Sequence, residues 1–274
     1  MVEILVALTN TAGDQAAMAH AAALVEGRSG HLTLVQPVEL PGAAMGALGS
    51  DPITRMQPAV MQALRDMDSS TRSLRSAAAR LRVPYDIEVE DGSKDIPLNA
   101  IAQRAQLFDF AAVTCGGERR SQRRKQHATF SAIAFGSGRP VLAVPARMPL
   151  PAPLRHAVLA WNGAQESARA IHDFCALVPC DRASIVAVAP SGRTSEAGHL
   201  LAEFLVRKGR RAAFHEAQAQ GRPISDVLAD YALEAGADLL VCGAYGHSRA
   251  REWMLGGTTR DLLDRSHIPV FFSR

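Results

Sequence analysis

The chain has 274 residues, of which 47% are hydrophobic and 5% aromatic, and its formal net charge at pH 7 is +3. This length suits two α/β domains, and the apolar fraction is enough for a core in each. The mild charge and the few aromatic residues disfavour a nucleic-acid-binding protein, which needs a strong basic field or surfaces on which bases can stack.

The cysteines and the apolar runs bear on the compartment. Cys115, Cys175, Cys180 and Cys242 are not spaced as metal ligands or as a CxxC pair, and we interpret them as buried thiols in a reducing environment. No apolar run reaches the roughly 18 residues of a membrane-spanning helix. Residues 1–6 lack the basic start of a secretion signal. We therefore predict a cytoplasmic protein without a membrane partner.

The first part of the chain alternates between strand and helix signals. Residues 4–8 predict an apolar strand, residues 14–26 an alanine-rich helix and residues 31–38 a second strand. Residues 39–74 contain prolines and glycines and predict a loop that leads into a longer helix.

The same succession starts again at Arg155. Residues 157–161 predict a strand, residues 165–178 a helix and residues 183–189 a strand. A helix over 194–208, a strand over 211–216 and a helix over 223–235 follow. The chain closes with a continuously apolar strand over 239–242 and a short helix over 258–265. Such alternation indicates a parallel sheet with helices on both faces.

The two halves align with each other in two blocks without gaps. Asn10 falls on Asn162 in the first block, and Asp109 falls on Asp238 in the second. Two ordered blocks indicate an internal duplication in which each unit is a whole domain. We predict an N-terminal domain over residues 1–146, a proline-rich linker over 147–153 and a C-terminal domain over 154–274.

A strand, a glycine-rich loop and a helix end the second half. The apolar run 239–242 is followed by Gly243, Gly246 and Gly256, and Gly257 and Thr258 open the final helix. Glycines let backbone N–H groups approach a ligand closely, and a helix start adds unpaired N–H groups, so phosphate is the expected guest. The spacing fits neither the P-loop nor the dinucleotide-binding fingerprint, and a glycine-rich turn without a ligand is the alternative.

This glycine spacing resembles the nucleotide-binding signature of the universal stress protein family, in which a Ser or Thr directly follows the last glycine. Here Gly257 takes that place, and the hydroxyl comes one residue later at Thr258. The turn Ala160-Trp161-Asn162-Gly163 and the closing Ile268-Pro269-Val270 are also similar to the family. The resemblance covers nearly the whole chain, which is identified as a tandem member with two domains.

The resemblance implies a fold and a ligand. Each half would be a Rossmann-like, doubly wound α/β domain with five parallel strands in the order 3-2-1-4-5, and its ligand would lie between strands 1 and 4. The second half would bind ATP or another adenine nucleotide, with Mg²⁺ as an optional companion. The nucleotide-binding residues implied in this way are Ala160, Trp161, Asn162, Gly163, Ala189, Gly243, Ala244, Gly246, His247, Arg249, Gly256, Gly257 and Thr258.

One of these positions departs from the family. In nucleotide-binding members the first strand commonly ends in an aspartate that faces the nucleoside, and Asn162 stands there in this chain. An amide still hydrogen-bonds a ribose or a base but brings no charge.

The first half has lost the glycine pattern. Thr114 aligns with Gly243 and His127 with Gly256, so β-carbons should block the approach of the backbone to a ligand. A basic loop over residues 119–125 would either hold an anion or be a solvated charged surface. We therefore expect the first half to be a partner domain.

The resemblance also bears on assembly. Family members dimerise through the last strand, so residues 141–144 and 270–272 would pair the two halves inside one chain, and a further homodimer is plausible.

Three functions compete. The first is a stress-response protein that binds adenine nucleotide in its second half, and the second is a member of the same family that binds no nucleotide and acts as an interaction module. The third is a slow ATPase or another nucleotide-dependent enzyme. No catalytic motif supports the third, and for His247 a structural or ligand-contacting role is simpler than proton transfer. We leave the question of enzyme activity open, and the sequence favours a protein that is not an enzyme.

Overall fold

The computed structural model describes residues 1–11, 13–39, 58–92, 96–149, 151, 153–244 and 257–274. The first half contains strands β1 (Val2–Ala7), β2 (Gly30–Glu39), β3 (Tyr85–Gly92), β4 (Phe110–Cys115) and β5 (Val141–Pro145), with helices α1 (Asp14–Val25), α2 (Pro58–Ala78), α3 (Ile96–Ala105) and α4 (Arg120–Gly136). The second half contains strands β6 (His156–Ala160), β7 (Arg182–Val188), β8 (Arg211–Ala217), β9 (Leu239–Gly243) and β10 (Val270–Ser273), with helices α5 (Gln165–Leu177), α6 (Gly192–Arg207), α7 (Ile224–Glu234) and α8 (Gly257–Arg265).

The central strands form because they are apolar on both faces. Every residue of β4, β5 and β6 is buried, as expected for strands that are covered by helices on both sides. The outermost strand β8 alternates between exposed and half-buried residues instead. Helices α1, α2, α5 and α6 cover one face of the sheet, and α3, α4, α7 and α8 cover the other.

The strand order in each half is the predicted one, but the two sheets are not separate. The described strands form a single ten-stranded sheet in the order β3-β2-β1-β4-β5-β10-β9-β6-β7-β8. Each half contributes the five strands predicted for it, but they belong to one sheet and not to two separate ones. Within each half the strands run parallel, and the order reverses on the two sides of β1 and of β6.

Strands β5 and β10 join the two halves. They pair antiparallel, with Val270 opposite Ala143 and Phe272 opposite Val141, so the predicted pairing inside one chain is confirmed. Phe271 is fully buried at this junction, and its ring lies 5.8 Å from the ring of Phe110 in the first half. The junction therefore closes two sheet edges that would otherwise expose unpaired backbone groups.

The duplication is visible in the hydrogen bonds of the second aligned block. Asp109 and Asp238 each accept the amide of a residue at the start of the neighbouring first strand, Glu3 at 2.9 Å and His156 at 3.0 Å. Each aspartate amide donates back to the carbonyl of the same residue. The alignment of Asp109 with Asp238 is therefore confirmed.

The first aligned block is wrong by one residue. The amides of Leu8 and Trp161 make the same contact, each with the carbonyl of the second strand, so these two residues are equivalent. Asn10 therefore corresponds to Gly163, and both have positive φ, 56° and 77°. Helix α1 starts six residues after Leu8 and α5 four residues after Trp161, so no single gapless offset fits both the strand and the helix start.

The segment predicted as a basic loop is helical. Residues 120–125 form the first turns of α4, so that prediction is wrong. Arginine, lysine and glutamine are good helix formers, and the first half lacks the glycines that suggested a loop by analogy with the second half. Helix α2 has 21 residues and is longer than its counterpart α6, as predicted, and most of the loop before it lies outside the described residues.

The division at residues 146 and 154 stays a prediction, because the sheet runs through both halves. Among the helices that the structure describes, none has the length and apolar character that a crossing of a membrane requires.

Candidate functional site

The candidate site lies at the carboxyl edge of the second half of the sheet. Strand β6 pairs in parallel with β7 on one side and with β9 on the other, so the carboxyl ends of these three strands meet at one edge. The chain turns to opposite faces of the sheet on the two sides of β6, because α5 covers one face and α7 and α8 the other. A crevice at such a reversal is the usual ligand site of an open α/β sheet.

The turn after β6 is held by hydrogen bonds on both sides. The indole Nε1 of Trp161 donates to the carbonyl of Thr194 at 3.0 Å, which ties the start of α6 to this turn. The side-chain oxygen of Asn162 accepts the amide of Ala164 at 3.0 Å, just before α5 begins. The side-chain amide nitrogen of the exposed Asn162 has no hydrogen-bond partner among the described residues, so it can donate to a ligand.

Two residues at this edge have left-handed backbone. Gly163 has φ of 77°, and a β-carbon there would lie 3.4 Å from the hydroxyl of Thr194. Ala189, directly after β7, has φ of 46°, a conformation that residues with a β-carbon adopt only at a cost in energy. Such strain is concentrated at functional sites, because a fold tolerates it only where something else fixes the backbone.

Gly243 ends β9 against the start of α5. A β-carbon at this glycine would lie 2.7 Å from the carbonyl carbon of Glu166 and 2.7 Å from the amide nitrogen of Ser167. The next residue, Ala244, is buried and donates its amide to the carbonyl of Ser273 at 2.7 Å. Packing between strand and helix therefore requires the glycine at 243, and the Ala244 amide is already bonded within the protein.

Helix α8 begins at Gly257. A β-carbon at this residue would meet no atom of the described residues within 4 Å, so these residues leave the space beside the helix start open. Thr258 follows as the second residue, with its side chain half-buried. Gly246, His247, Arg249 and Gly256, which complete the predicted phosphate loop, lie outside the described residues.

At the corresponding edge of the first half, protein side chains engage the polar groups beside a cavity of about 400 Å³ that Asn10 and Gln36 line. The buried Gln126 accepts the amide of Gly117 at 2.9 Å and approaches the hydroxyl of Thr11 at 3.5 Å. Asp14 accepts the amides of Thr9 and Thr11 at 3.0 and 3.1 Å, and burial raises the pKa of this carboxyl group. Groups of the chain itself therefore occupy the donors that an anion would need.

The contact between the strand end and the helix start contains a glycine in both halves, but on opposite sides. Thr114 takes the place of Gly243, and a β-carbon on Gly13 would lie 2.5 Å from the Thr114 hydroxyl oxygen. Strand and helix thus approach as closely as in the second half, with the glycine on the helix side. The loss of glycine at position 114 is explained by this exchange and says nothing about a ligand.

Sequence reasoning missed Ser191 and Thr194. They open α6 beside Trp161, and the hydroxyl of Ser191 accepts the amide of Thr194 at 3.4 Å. The signal was present, since a serine three residues before a threonine is a common helix start, but nothing local linked this helix to the Trp161 turn.

The site offers polar contacts and little acid–base chemistry. Burial raises the pKa of Cys242, at the end of β9, to about 12, so this thiol stays protonated. Among the residues that the structure describes, no group of three or more histidine, cysteine and acidic side chains is placed to hold a metal ion. The described part of the site can therefore bind a ligand, and it holds no pair of groups arranged for proton transfer.

The comparisons with known proteins agree with this architecture. Residues 160–274 match the model of the universal stress protein family. The second half therefore carries a universal stress protein family domain. No curated protein matches the chain in sequence.

Solved structures extend the likeness to the first half. A universal stress protein from Archaeoglobus fulgidus DSM 4304 is 14% identical, with a TM-score of 0.75 over 99% of this chain and 96% of its own. A putative universal stress protein from Pseudomonas aeruginosa UCBPP-PA14 is 15% identical, with a TM-score of 0.58 over 100% of this chain and 93% of its own. A functionally unknown protein from Pseudomonas aeruginosa PAO1 is 14% identical, with a TM-score of 0.56 over 99% of this chain and 92% of its own. At such identities the likeness concerns the fold, and it covers both halves.

Proposed function

We propose that the chain is a tandem universal stress protein whose second half binds an adenine nucleotide, ATP, ADP or AMP. The observation that carries the proposal is the convergence of the ends of β6, β7 and β9 at one edge, where the strand order reverses. The N-terminus of α8 follows this strand edge in the chain, and the described residues leave the space beside Gly257 open. Such an arrangement suits a ligand with a polar ring at one end and phosphate at the other.

The nucleoside would lie against the turn after β6 and the end of β7. The free amide nitrogen of Asn162 would donate to ribose or base oxygens, and the backbone of Ala189 would face the base. The strained φ at Ala189 supports a role for this position, because packing alone gives no reason for a residue with a β-carbon there.

The phosphates would lie at the start of α8. The first amides of a helix have no partner inside the helix, and the helix dipole favours negative charge. Gly257 and Thr258 would provide these amides and one hydroxyl, and Gly246, His247, Arg249 and Gly256 would complete the loop. Gly243 and Ala244 would shape the site through packing and not by contact with the ligand.

Calorimetric titration with ATP, ADP and AMP tests the proposal, together with release of any nucleotide that copurifies. We expect one nucleotide per chain. Gly257→Val should weaken binding by about tenfold or more without unfolding the protein, because its side chain would fill open space beside the helix start. Ala128→Val, at the aligned exposed position in α4, is the matched control and should bind as the wild type does.

The alternatives correspond to distinct results. If the purified chain holds no nucleotide and none of the three binds, it is an interaction module of the same fold, an outcome that the engaged amide of Ala244 would favour. Two AMP molecules per chain would contradict a single nucleotide site in the second half, and AMP is the decisive ligand because it carries only one phosphate. Mg²⁺-dependent ATP hydrolysis that Gly257→Val abolishes would favour a slow ATPase. Cytoplasmic location and a further homodimer stay predictions.

A further inference from the structure

Helix α4 of the first half begins with an unusual concentration of positive charge. Arg119 precedes the helix, and Arg120, Arg123, Arg124 and Lys125 lie in its first two turns. We call these five residues the basic helix start. Their five charges exceed the formal net charge of +3 of the whole chain, so the rest of the chain carries a small net negative charge.

Most of these charges have no ionic partner among the described residues. Arg123 donates to the carbonyls of Gly117 and Glu118, at 2.8 and 2.9 Å, and is half-buried. The other four cations are exposed, and within the described part of the chain no ion pair involves them. Glu118, the acidic residue next to them in sequence, is paired with Arg147. The basic helix start is therefore open to an anion from solution.

Positive side chains at the start of a helix are electrostatically unfavourable. The positive end of the helix dipole favours acidic residues in the first turn, and α4 has none there. Arg120 and Arg124 are four residues apart, as are Arg119 and Arg123, and like charges at this spacing repel each other. The repulsion weakens the isolated fold, and a bound polyanion would remove it.

Backbone amides do not provide the anion contacts at the basic helix start. The amide of Gly117 is bonded to Gln126, and the amide of Arg119 donates to the side-chain oxygen of Gln122 at 3.1 Å. An anion would therefore be held by exposed side chains, unlike a phosphate in a glycine-rich loop. This property separates the basic helix start from the nucleotide site proposed for the second half.

The composition of the basic helix start indicates the kind of anion. Four of its five cations are arginines, whose planar fork donates two hydrogen bonds at once to a phosphate. It has no aromatic side chain on which bases could stack, and no exposed large apolar side chain that could enter a lipid surface. Seven residues of helix span only about 10 Å along the axis, which suits a compact anion.

We propose that the basic helix start binds a compact oligophosphate, an anion with three or more phosphates in a row, through its arginine side chains. The ligand bridges the exposed cations at positions 120 and 124 and their neighbours. Binding is independent of the nucleotide site and stabilises the first half.

Calorimetric titration of the full chain with inorganic tripolyphosphate, at about 20 mM and 150 mM salt, tests the proposal. The double variant R120Q/R124Q should bind at least about tenfold more weakly at low salt, because two charge-assisted contacts are lost. The matched control R72Q/R75Q removes two exposed arginines from α2 and should bind as the wild type does. Gly257→Val should also retain tripolyphosphate binding, which separates this site from the proposed nucleotide site.

Three results would overturn the proposal: no binding of tripolyphosphate to the wild type at low salt, an equal loss in both double variants, or an unchanged affinity in R120Q/R124Q. A 20-base-pair DNA duplex serves as a second probe. Duplex binding that R120Q/R124Q abolishes, and that is tighter than tripolyphosphate binding, would assign the surface to nucleic acid instead. Because both arginines are exposed, R120Q/R124Q should unfold no earlier than the wild type.

Discussion

Gly243 gives the sharpest test of the packing at the candidate site. A β-carbon there would lie 2.7 Å from two backbone atoms of α5 and 2.9 Å from the carbonyl oxygen of Glu166. Carbon atoms pack best at about 3.5–4.0 Å, so β9 and α5 would have to separate by roughly 0.8 Å or more. Both elements are backbone inside a close-packed core, so no flexible side chain can absorb the shift.

The expected cost of Gly243→Ala follows from this distance. Overpacking of this kind costs about 1–3 kcal/mol in the free energy of unfolding. For a protein of this size each kcal/mol lowers the melting temperature by about 2–4 °C, which gives a fall of roughly 2–12 °C. Differential scanning calorimetry measures the melting temperature directly. Gly257→Ala is the matched control, because its β-carbon would meet no described atom within 4 Å, and we expect it to melt at or above the wild-type temperature.

The exchange of glycine and threonine in the first half supplies a second control. Gly13→Ala should destabilise the chain in the same way, and Thr114→Ala in the same molecule should recover part of the loss, because it removes the oxygen that the new β-carbon meets at 2.5 Å. If Gly243→Ala and Gly257→Ala had equal melting temperatures, within about 1 °C, the argument that glycine is needed for close approach would be refuted.

Three further results are expected. Phe271→Ala should cost about 3–5 kcal/mol in urea unfolding, because its fully buried ring packs between the two halves. Burial lowers the pKa values of His20 and His156 below the ordinary 6.5. As the pH falls, these histidines are therefore protonated at a higher pH in the unfolded chain than in the folded one. The free energy of unfolding measured with urea should therefore fall as the pH drops below about 6.5, by at most about 1.4 kcal/mol per pH unit for each histidine within its window. Buried Cys115 and Cys242, whose thiol pKa values are raised by burial, should not react with a disulfide reagent at pH 8 until the chain is unfolded.

Each of these has a control. Leu107→Ala removes an exposed side chain and should leave the free energy of unfolding within about 0.5 kcal/mol of the wild-type value. His20→Leu should make the pH dependence shallower, and an unchanged slope would contradict the assignment of that proton to His20. Reaction of more than two of the four thiols in the native protein would show that the cysteines at the ends of β4 and β9 are accessible.

The sequence determined the elements and their grouping. Continuous apolar runs such as 239–242 give strands that are buried on both faces, and alternation with helical periods implies a parallel, doubly wound sheet. These are local signals, so the observed strands and helices begin and end within one or two residues of the predictions across the second half. The equivalence of Asp109 and Asp238 could also be recognised from the sequence, because the two aspartates lie in segments that align without gaps.

The tertiary structure decided what depends on contacts between distant segments. Only the backbone contacts show that Asn10 corresponds to Gly163, since the strands and the helix starts of the two halves align at different offsets. The glycine at 243 suggested a ligand, but the approach of α5 is what requires it, and Gly13 meets the same need from the other side in the first half. Gln126 bonds the Gly117 amide in the first half from nine residues along the chain. A glycine in the sequence indicates that another group approaches the backbone closely. The segments that pack around it in the folded chain decide whether that group belongs to the protein or to a ligand.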